Sequence, residues 1–164
     1  MNFLDILLIL SILLCSLVTG FIFTYAIVVM PGLSKLKDKE FIRAFQVTDG
    51  IIQNNQPLFM LTWVGSIIAI LSSILIAIIF VGISETWLII LVGVVYLLGV
   101  QGITISIHIP LNNHLQQVNI DELNAERLSE ERIKFENKWN NFNIIRTIIA
   151  FSVSVILLLI LAIR

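Results

Sequence analysis

Residues 86–111 read "TWLIILVGVVYLLGVQGITISIHIPL", an apolar run that ends with a histidine and a proline. A helix needs about 20 predominantly apolar residues to cross the hydrocarbon core of a bilayer, and this run exceeds that length. The chain continues with "NNHLQQ" at 112–117, whose polar groups are costly to place in lipid without hydrogen-bond partners. The run therefore predicts a membrane-spanning helix with a polar end.

Three further runs, at about 3–30, 57–83 and 143–163, have the same character. The whole chain of 164 residues is 58% hydrophobic and 13% charged, and its mean hydropathy is +1.00. A soluble domain is nearer half apolar and a quarter charged, so composition argues against the soluble class. We predict an all-α integral membrane protein, a four-helix bundle that forms a single domain over residues 1–164.

The ligand chemistry open to this chain is limited by its few cysteines and histidines. Cys15 is the single cysteine and lies in an apolar context, which excludes an internal disulfide and predicts a buried thiol. His108 and His114 are six residues apart with a proline between them, a poor spacing for two ligands on one helix. We predict no metal site and no cofactor, with haem as a less favoured alternative, and no nucleic-acid partner.

The charge distribution predicts the orientation in the membrane. Nine of the ten Lys and Arg residues lie in the two polar loops or where the second loop enters the fourth span, and Arg164 lies on the other side. Short loops rich in Lys and Arg stay in the cytoplasm. We expect a multi-pass cell-membrane protein with both polar loops in the cytoplasm and both termini outside.

The first polar loop carries a helical pattern. Residues 38–53, "DKEFIRAFQVTDGIIQ", place apolar side chains near helical spacing with charges between them. This predicts a short amphipathic helix, either lying on the membrane surface or folded under the bundle. Pro31 and Gly32 are expected to end the first span before it. One of the amides at 54–56 is expected to cap the helix that Pro57 opens.

In the second polar loop, a stripe with steps of three and four carries Ala125, Leu128, Phe135, Trp139 and Phe142, and Arg132 fills one position of it. The pattern predicts a second amphipathic helix, which runs directly into the fourth span. Glu130 and Lys134 have the spacing of a favourable pair on one helix face.

A stripe of polar residues marks the third span. Gln101, Thr104, His108 and Asn112 are spaced three, four and four apart, so they share one helix face. Such a face is expected to point into the bundle, away from lipid. Pro110 lies in the stripe and can kink the helix.

The predicted topology brings further polar residues to the same leaflet and so defines a candidate site. His108 can act as a general base, because histidine ordinarily titrates near neutrality. A lone membrane histidine more often only hydrogen-bonds another helix, and this alternative stays open for His108. Arg146 either reaches the membrane surface or pairs with an acid such as Asp49. The candidate catalytic residues are His108, Asn112 and Arg146. The candidate substrate-binding residues are Tyr25, Gln101, Thr104, Trp139 and Asn143.

Four segments together carry a resemblance to a known family. They are "TGFIFTYAIVVMPGL" at 19–33, "FQVTDGIIQNNQPLF" at 45–59, "IPLNNHL" at 109–115 and "WNNFNIIRT" at 139–147. In order and spacing the chain resembles the small four-helix membrane proteins grouped with the anthrone oxygenases, over nearly its whole length. The positions shared with that family are Pro31, Pro110, Asn112, Trp139, Asn143 and Arg146. Phe142 departs from it, since a second tryptophan is common there.

The resemblance implies a cofactor-independent oxygenase acting on a hydrophobic aromatic, anthrone- or quinol-like substrate. The expected partners are therefore the lipid bilayer and a hydrophobic aromatic small molecule. A non-enzymatic bundle that binds a lipid or small molecule, or an accessory membrane subunit, is the alternative. A small transporter is less favoured, since no inverted repeat is visible.

Overall fold

The computed structural model describes residues 2–164, and this part of the chain folds into five helices and no strand. The helices are α1 (Phe3–Leu33), α2 (Asp38–Gln53), α3 (Pro57–Phe80), α4 (Ile83–Gln117) and α5 (Ala125–Ala162). All but α2 are long and apolar enough to cross a membrane. The predicted all-α four-helix membrane bundle is confirmed, and α1, α4 and α5 extend beyond their apolar runs at the end that carries the polar loops.

The four long helices form a ring in which each packs on two neighbours. α1 and α4 each contact α3 and α5, so neighbours around the ring run in opposite directions. Val18, Ile70, Val100 and Leu157 are among the fully buried side chains between them. Large apolar side chains also cover the outside of the ring, where lipid is the solvent that accepts them.

Hydroxyl and amide groups hold the middle of the ring together. The Ser11 and Ser73 hydroxyls lie 3.0 Å apart between α1 and α3. The Tyr96 hydroxyl lies 2.7 Å from that of Ser66 on α3 and accepts a 3.0 Å bond from the Gln101 amide on its own helix. Gly93 lets α4 approach α3, because a Cβ there would come within 2.6 Å of the tip of the Ile74 side chain, which would then have to move.

The predicted end of the first span, at Pro31 and Gly32, is confirmed to within one residue, because α1 ends at Leu33. Pro31 itself lies inside the last turn of the helix. A π-helical segment, Tyr25–Val29, precedes that proline, and α1 continues to Leu33. In α4, the π segments Leu97–Gly102 and Thr104–His108 precede Pro110 in the same way. The wider π turn accommodates the proline ring and the missing N–H, which an α-helix interior does not.

α2 folds under the bundle, which confirms one of the two predicted positions for it. Phe41, Phe45 and Asp49 on one of its faces are buried. The Phe45 ring lies 5.9 Å from that of Trp139 on α5. The Gln46 amide donates bonds of 2.8 and 2.9 Å to two carbonyls at the end of α4. We call this end of the ring, with α2 and residues 118–124, the loop end.

The helix starts in the polar loops agree with the sequence, whereas one predicted charge pair does not form. Gln56 caps α3 by accepting a bond from the Phe59 N–H. The helix of the second loop runs without a break into the fourth span as α5. The expected pairing of Glu130 with Lys134 is wrong, because Glu130 accepts instead from Arg127 at 3.1 Å. Lys134 lies 3.8 Å from Glu131, a residue on the adjacent turn.

Arg132 joins the α1–α2 connection to α5. Its guanidinium donates 2.8 Å bonds to the carbonyls of Ser34 and Leu36, and it also pairs with Asp38 and Glu136. We expect Arg132→Ala to lower the free energy of unfolding by roughly 2–3 kcal/mol, because bonds to a charged donor are lost together. Thermal unfolding in detergent measures the change.

Arg127→Ala is the matched control for that variant. Arg127 is two-thirds exposed and pairs only across one helical turn with Glu130. Exposed pairs of this kind contribute about 0.5 kcal/mol or less. Equal losses in the two variants would show that Arg132 does not hold the connection.

Candidate functional site

A cavity of about 380 Å³ lies at the loop end of the ring. All five helices contribute to its wall, and its volume lies within the range of about 300–1,000 Å³ found for ligand pockets. Its aromatic lining consists of Phe21, Tyr25, Phe45, Phe59, Trp63 and Trp139. Its polar lining consists of Asp49, Gln53, Asn55, Thr104, His108, Asn112, Asn113 and Arg146. Ile52, Met60 and Ile109 complete it.

The aromatic rings form two groups in this cavity. On one side Phe59 and Trp63 stack with their ring centroids 5.2 Å apart and their planes 22° apart. On another, Tyr25 lies 5.6 Å from Trp139. Phe21 contacts both groups, at 5.0 Å from Tyr25 and 5.2 Å from Phe59. Flat rings of this kind complement a planar aromatic ligand.

Arg146 carries a positive charge into this interior without an acidic partner. Its side chain is buried, with the residue only 4% exposed. Nε donates to Asn143 Oδ1 and Nη1 to Thr104 Oγ1, both at 3.0 Å. The guanidinium carbon lies 5.6 Å from the centre of the Trp139 ring. Within residues 2–164, no carboxylate forms an ion pair with Arg146.

Both predicted positions of the Arg146 side chain are therefore wrong. It does not reach the membrane surface, because it lies two turns, or about 10 Å, deeper along α5 than Trp139 and points inward. It does not pair with Asp49, because α4 supplies the nearer hydrogen-bond partner, Thr104. The guanidinium is thus left to face the cavity.

His108 is buried with both of its ring nitrogens unpaired. The residue is 2% exposed, and neither Nδ1 nor Nε2 has a hydrogen-bond partner among residues 2–164. The backbone of Ile103 and that of Trp139, on another helix, lie near the ring, but neither completes a hydrogen bond to it in distance and angle. The His108 ring lies edge-on to Trp139 with centroids 5.1 Å apart. Buried polar atoms are nearly always paired, and each unpaired one costs about 1–3 kcal/mol.

Asn112 connects α4 to both α2 and α5. Its Nδ2 donates to Asp49 Oδ1 at 2.8 Å, and its Oδ1 accepts from Trp139 Nε1 at 3.0 Å. Gln53 and Gln116 donate to the other oxygen of Asp49 at 2.7 and 3.2 Å. Both ends of the Asn112 amide are thus held by the protein, which makes it a residue that positions Trp139 and Asp49.

Six of the eight predicted site residues line the cavity together, and two stand outside it. The six are Tyr25, Thr104, His108, Asn112, Trp139 and Arg146. Gln101 is bonded to Tyr96 in the middle of the ring. Asn143 donates to the Ile22 carbonyl on α1 at 3.0 Å and holds Arg146 with its oxygen. His114, which we did not expect in the site, is exposed and bonded to Glu131.

Sequence reasoning missed the contribution of α2 and the start of α3. Asp49 follows Phe41 and Phe45 at steps of four, so it lies in the apolar stripe of α2, and an acid in such a stripe is the signal that was available. Phe59 and Trp63 are four apart after Pro57. No signal in the sequence distinguishes aromatic residues that face a cavity from those that face lipid.

The groups that face the cavity suit an organic molecule with a polar end. Arg146 can stabilise an anionic oxygen, and a neutral His108 can accept a proton or donate one. Among residues 2–164, no three His, Cys, Asp or Glu side chains gather where they could hold a metal ion.

Asp49 gives the site a pH dependence whose sign can be predicted. Burial raises the pKa of its carboxyl above the ordinary 3.8, and hydrogen bonds from Gln116, Gln53 and Asn112 offset part of the rise. The folded state then binds this proton more tightly than the unfolded chain does. The resulting stabilisation is complete below pH 3.8 and is lost as the pH rises through the raised pKa. We expect Asp49→Asn to remove that part of the pH dependence of thermal unfolding in detergent.

Asp121 provides a control of opposite sign. Its pKa is lowered, chiefly by the hydrogen bond and charge of Lys39 at 2.8 Å. Its contribution is therefore present above the ordinary pKa and is lost as the pH falls through the lowered one. Asp121→Asn should leave the loss of stability above pH 3.8 unchanged. If the stability of Asp49→Asn falls with rising pH as much as that of the unaltered chain, the prediction is contradicted.

Comparison with known proteins gives one match. The family model described as "Anthrone oxygenase" matches residues 59–156, which is more than half of the chain. The matched segment contains most of α3, all of α4 and most of α5, and with them His108, Trp139 and Arg146. No curated protein matched the chain, and no solved structure did so.

Proposed function

We propose that this chain, which belongs to the anthrone oxygenase family, is a cofactor-independent oxygenase that oxidises a planar, enolisable aromatic substrate within the cavity. The observation that carries the proposal is that two groups meet at the same Trp139 ring: the Arg146 guanidinium, which has no acidic partner, and the His108 imidazole, which has no hydrogen-bond partner. A buried charge without a counter-charge and a buried imidazole without a hydrogen bond are costly, and a substrate that engages both offsets that cost.

His108 acts as the general base in this proposal. The CH₂ group of an anthrone is acidic, because its carbanion is conjugated with the ketone through the aromatic rings and is therefore also an enolate. The base must lie within hydrogen-bond reach of the proton that it removes. His108 lines the cavity, and both of its buried ring nitrogens are free of protein partners, so either tautomer leaves one nitrogen without a proton.

Arg146 stabilises the enolate oxygen. Negative charge that develops on an oxygen is best stabilised by donors held in place beforehand in a site from which water is excluded. Asn143 and Thr104 fix the guanidinium through two of its nitrogens, and the remaining N–H groups are available to a ligand. Thr104 and Asn143 are thus positioning residues, and Tyr25 and Trp139 supply flat surfaces for the substrate rings.

Molecular oxygen is the oxidant. The electron-rich carbanion carbon transfers electrons to O₂ and forms a C–O bond, and the peroxide takes up a proton. The hydroperoxide then loses water as its remaining C–H proton departs and the O–O bond breaks. A CH₂ group thereby becomes a carbonyl, with one O₂ consumed and one H₂O released.

The proposal is tested by quinone formation from emodin anthrone. Purified protein in detergent is expected to form the quinone faster than buffer alone under air, and to consume one O₂ per quinone. Protein kept under nitrogen should bind the anthrone, seen as quenched tryptophan fluorescence, without forming quinone. Quinone formation at the buffer rate, with quenching intact, would instead support a bundle that binds aromatic molecules without turnover.

We also propose that the loop end faces the cytoplasm of the cell, as the positions of nine of the ten basic residues favour. Lys37 is exposed at the start of α2. Lys37→Cys should react with an impermeant maleimide only after the cells are opened. Equal labelling of intact cells would reverse the orientation.

A further inference from the structure

We infer that the substrate is an amphipathic aromatic carried in the bilayer, and that it enters the cavity sideways through a gap between the start of α3 and the end of α4. The inference extends the proposed function and rests on it for one point, that the polar end of the substrate binds at Arg146. It concerns the route and the tail of the substrate, and these can be tested without turnover.

The gap follows from where α3 and α4 part. α3 packs along Ile83–Tyr96, the first part of α4. Among the described residues, the contact between the Ser66 and Tyr96 hydroxyls is the hydrogen bond closest to the loop end that joins these two helices. Beyond it, Met60 on α3 and Ile109 on α4 both line the cavity.

The polarity of the walls changes from the depth of the cavity to its mouth. Arg146 and His108 are almost completely buried, whereas Ile109 at the mouth is 45% exposed. Leu61 and Ile105, on the outer surfaces of α3 and α4, are exposed by 67% and 63%. A molecule with its polar end at Arg146 therefore leaves the protein through an apolar opening.

The opposite edge of the mouth is polar. The exposed side chains of Gln53, Asn55 and Asn113 line the cavity there, on the α2–α3 turn and the end of α4. An opening with hydrocarbon on one edge and amides on the other matches the boundary between the lipid tails and the headgroups. An amphiphile at this boundary holds its polar ring near the headgroups and its tail among the lipid tails. Its two ends therefore lie at the same membrane depths as the polar and the apolar edge of the mouth.

The irregular backbone of α4 coincides with the gap. The first π segment, Leu97–Gly102, begins directly after Tyr96, where the two helices part, and the second, Thr104–His108, follows after one residue. Such segments are frequent at functional sites and bend the helix that contains them. Thr104 and His108, both on the second segment, are thereby turned toward the cavity behind the gap.

The test closes the gap after the protein has folded. Met60→Cys and Ile109→Cys are combined with Trp87→Phe, which leaves Trp63 and Trp139 in the cavity wall as reporters. A bis-methanethiosulfonate spacer links the two cysteines, and dithiothreitol releases it. The native Cys15 is buried, and the unaltered chain treated with the same reagent shows whether it reacts. The probe is a dihydroxyanthrone with a long alkyl chain in phosphatidylcholine vesicles under nitrogen, and the rate of tryptophan quenching is measured.

A second groove supplies the matched control. It has a similar volume of about 380 Å³ and lies between α1 and α5, with Phe23 and Phe151 in its wall. Phe23→Cys and Phe151→Cys linked by the same spacer should leave the quenching rate unchanged. Linking Met60→Cys to Ile109→Cys should slow it by about tenfold or more, and dithiothreitol should restore it. At a fixed mole fraction of probe in the lipid, the rate should not change with the bulk concentration.

Two results would overturn the inference. One is an unchanged rate in the linked gap, which would mean that the substrate enters elsewhere. The other is a rate that follows the aqueous concentration of the probe, which would mean that it enters from water. Either result leaves the proposed oxygenase chemistry standing, because quinone formation is measured separately. The converse result is that the protein forms no quinone while the quenching rate still depends on the probe in the bilayer. That result would overturn the proposed chemistry and leave the route of entry standing.

Discussion

Replacement of Arg146 by glutamine is expected to lower kcat for quinone formation by roughly 10²- to 10³-fold, the usual effect of removing one fixed donor to a developing oxyanion. Glutamine keeps a hydrogen-bond donor near Thr104 but carries no charge. Because the enolate exists only along the reaction path, kcat should fall more than the affinity for the neutral substrate. The measurement is initial-rate kinetics in detergent, with tryptophan quenching under nitrogen as the binding assay.

Two further variants serve as the control and as the partial rescue for this result. Arg127→Gln removes an exposed arginine from the same helix and should leave kcat unchanged, since Arg127 pairs only with Glu130 on the surface. Arg146→Lys keeps the charge without the planar fork and should recover part of the rate. A folded Arg146→Gln protein whose kcat stays within threefold of the unaltered chain would remove Arg146 from the mechanism.

His108→Phe is expected to lower the rate by about 10²- to 10⁴-fold, the range that a positioned general base contributes. It should also raise stability, which separates a catalytic role from a structural one. Phenylalanine can keep the edge-on contact with Trp139, now 5.1 Å between ring centres. It also removes two buried nitrogens that have no partner among residues 2–164, a gain of roughly 1–3 kcal/mol. Thermal unfolding and initial rates on the same preparation measure both effects.

His114→Phe is the matched control for that variant. His114 is exposed and bonded to Glu131 at 2.6 Å, so its loss should leave the rate unchanged. Loss of stability in His108→Phe would indicate that the imidazole is bonded within the protein. An undiminished rate would show that another group, with Asp49 as the next candidate, removes the proton.

The sequence was sufficient for the bundle and for one face of the site. Apolar runs of spanning length fix the number of spans, because lipid admits a helix only when about 20 residues are apolar. The steps of three and four from Gln101 to Asn112 are enough to place Thr104, His108 and Asn112 together on the inner face of α4. The spacing of Trp139 and Arg146 on α5 identifies those two residues in the same way.

Long-range contacts decided what the sequence left open. Proline is a helix breaker by its local chemistry, but the π turn before Pro31 changes the carbonyl register, and residue type alone does not reveal that turn. The partner of Arg146 depended on which helix lies nearer, and Thr104 on α4 is closer than Asp49 on α2. Gln101 shares the polar stripe but is bonded to Tyr96, because the stripe is longer than the cavity that it faces.

The position of α2 under the bundle has a consequence for biosynthesis. Gln46 bonds to a carbonyl 72 residues further along the chain, and Phe45 packs on Phe135, which is made later still. At about 5–20 residues per second, α2 leaves the ribosome several seconds before its partners exist. During that interval its apolar face has only the membrane surface to cover it. A nascent chain arrested after α4 should therefore hold three inserted spans, with an α2 that proteases still reach until α5 has been made.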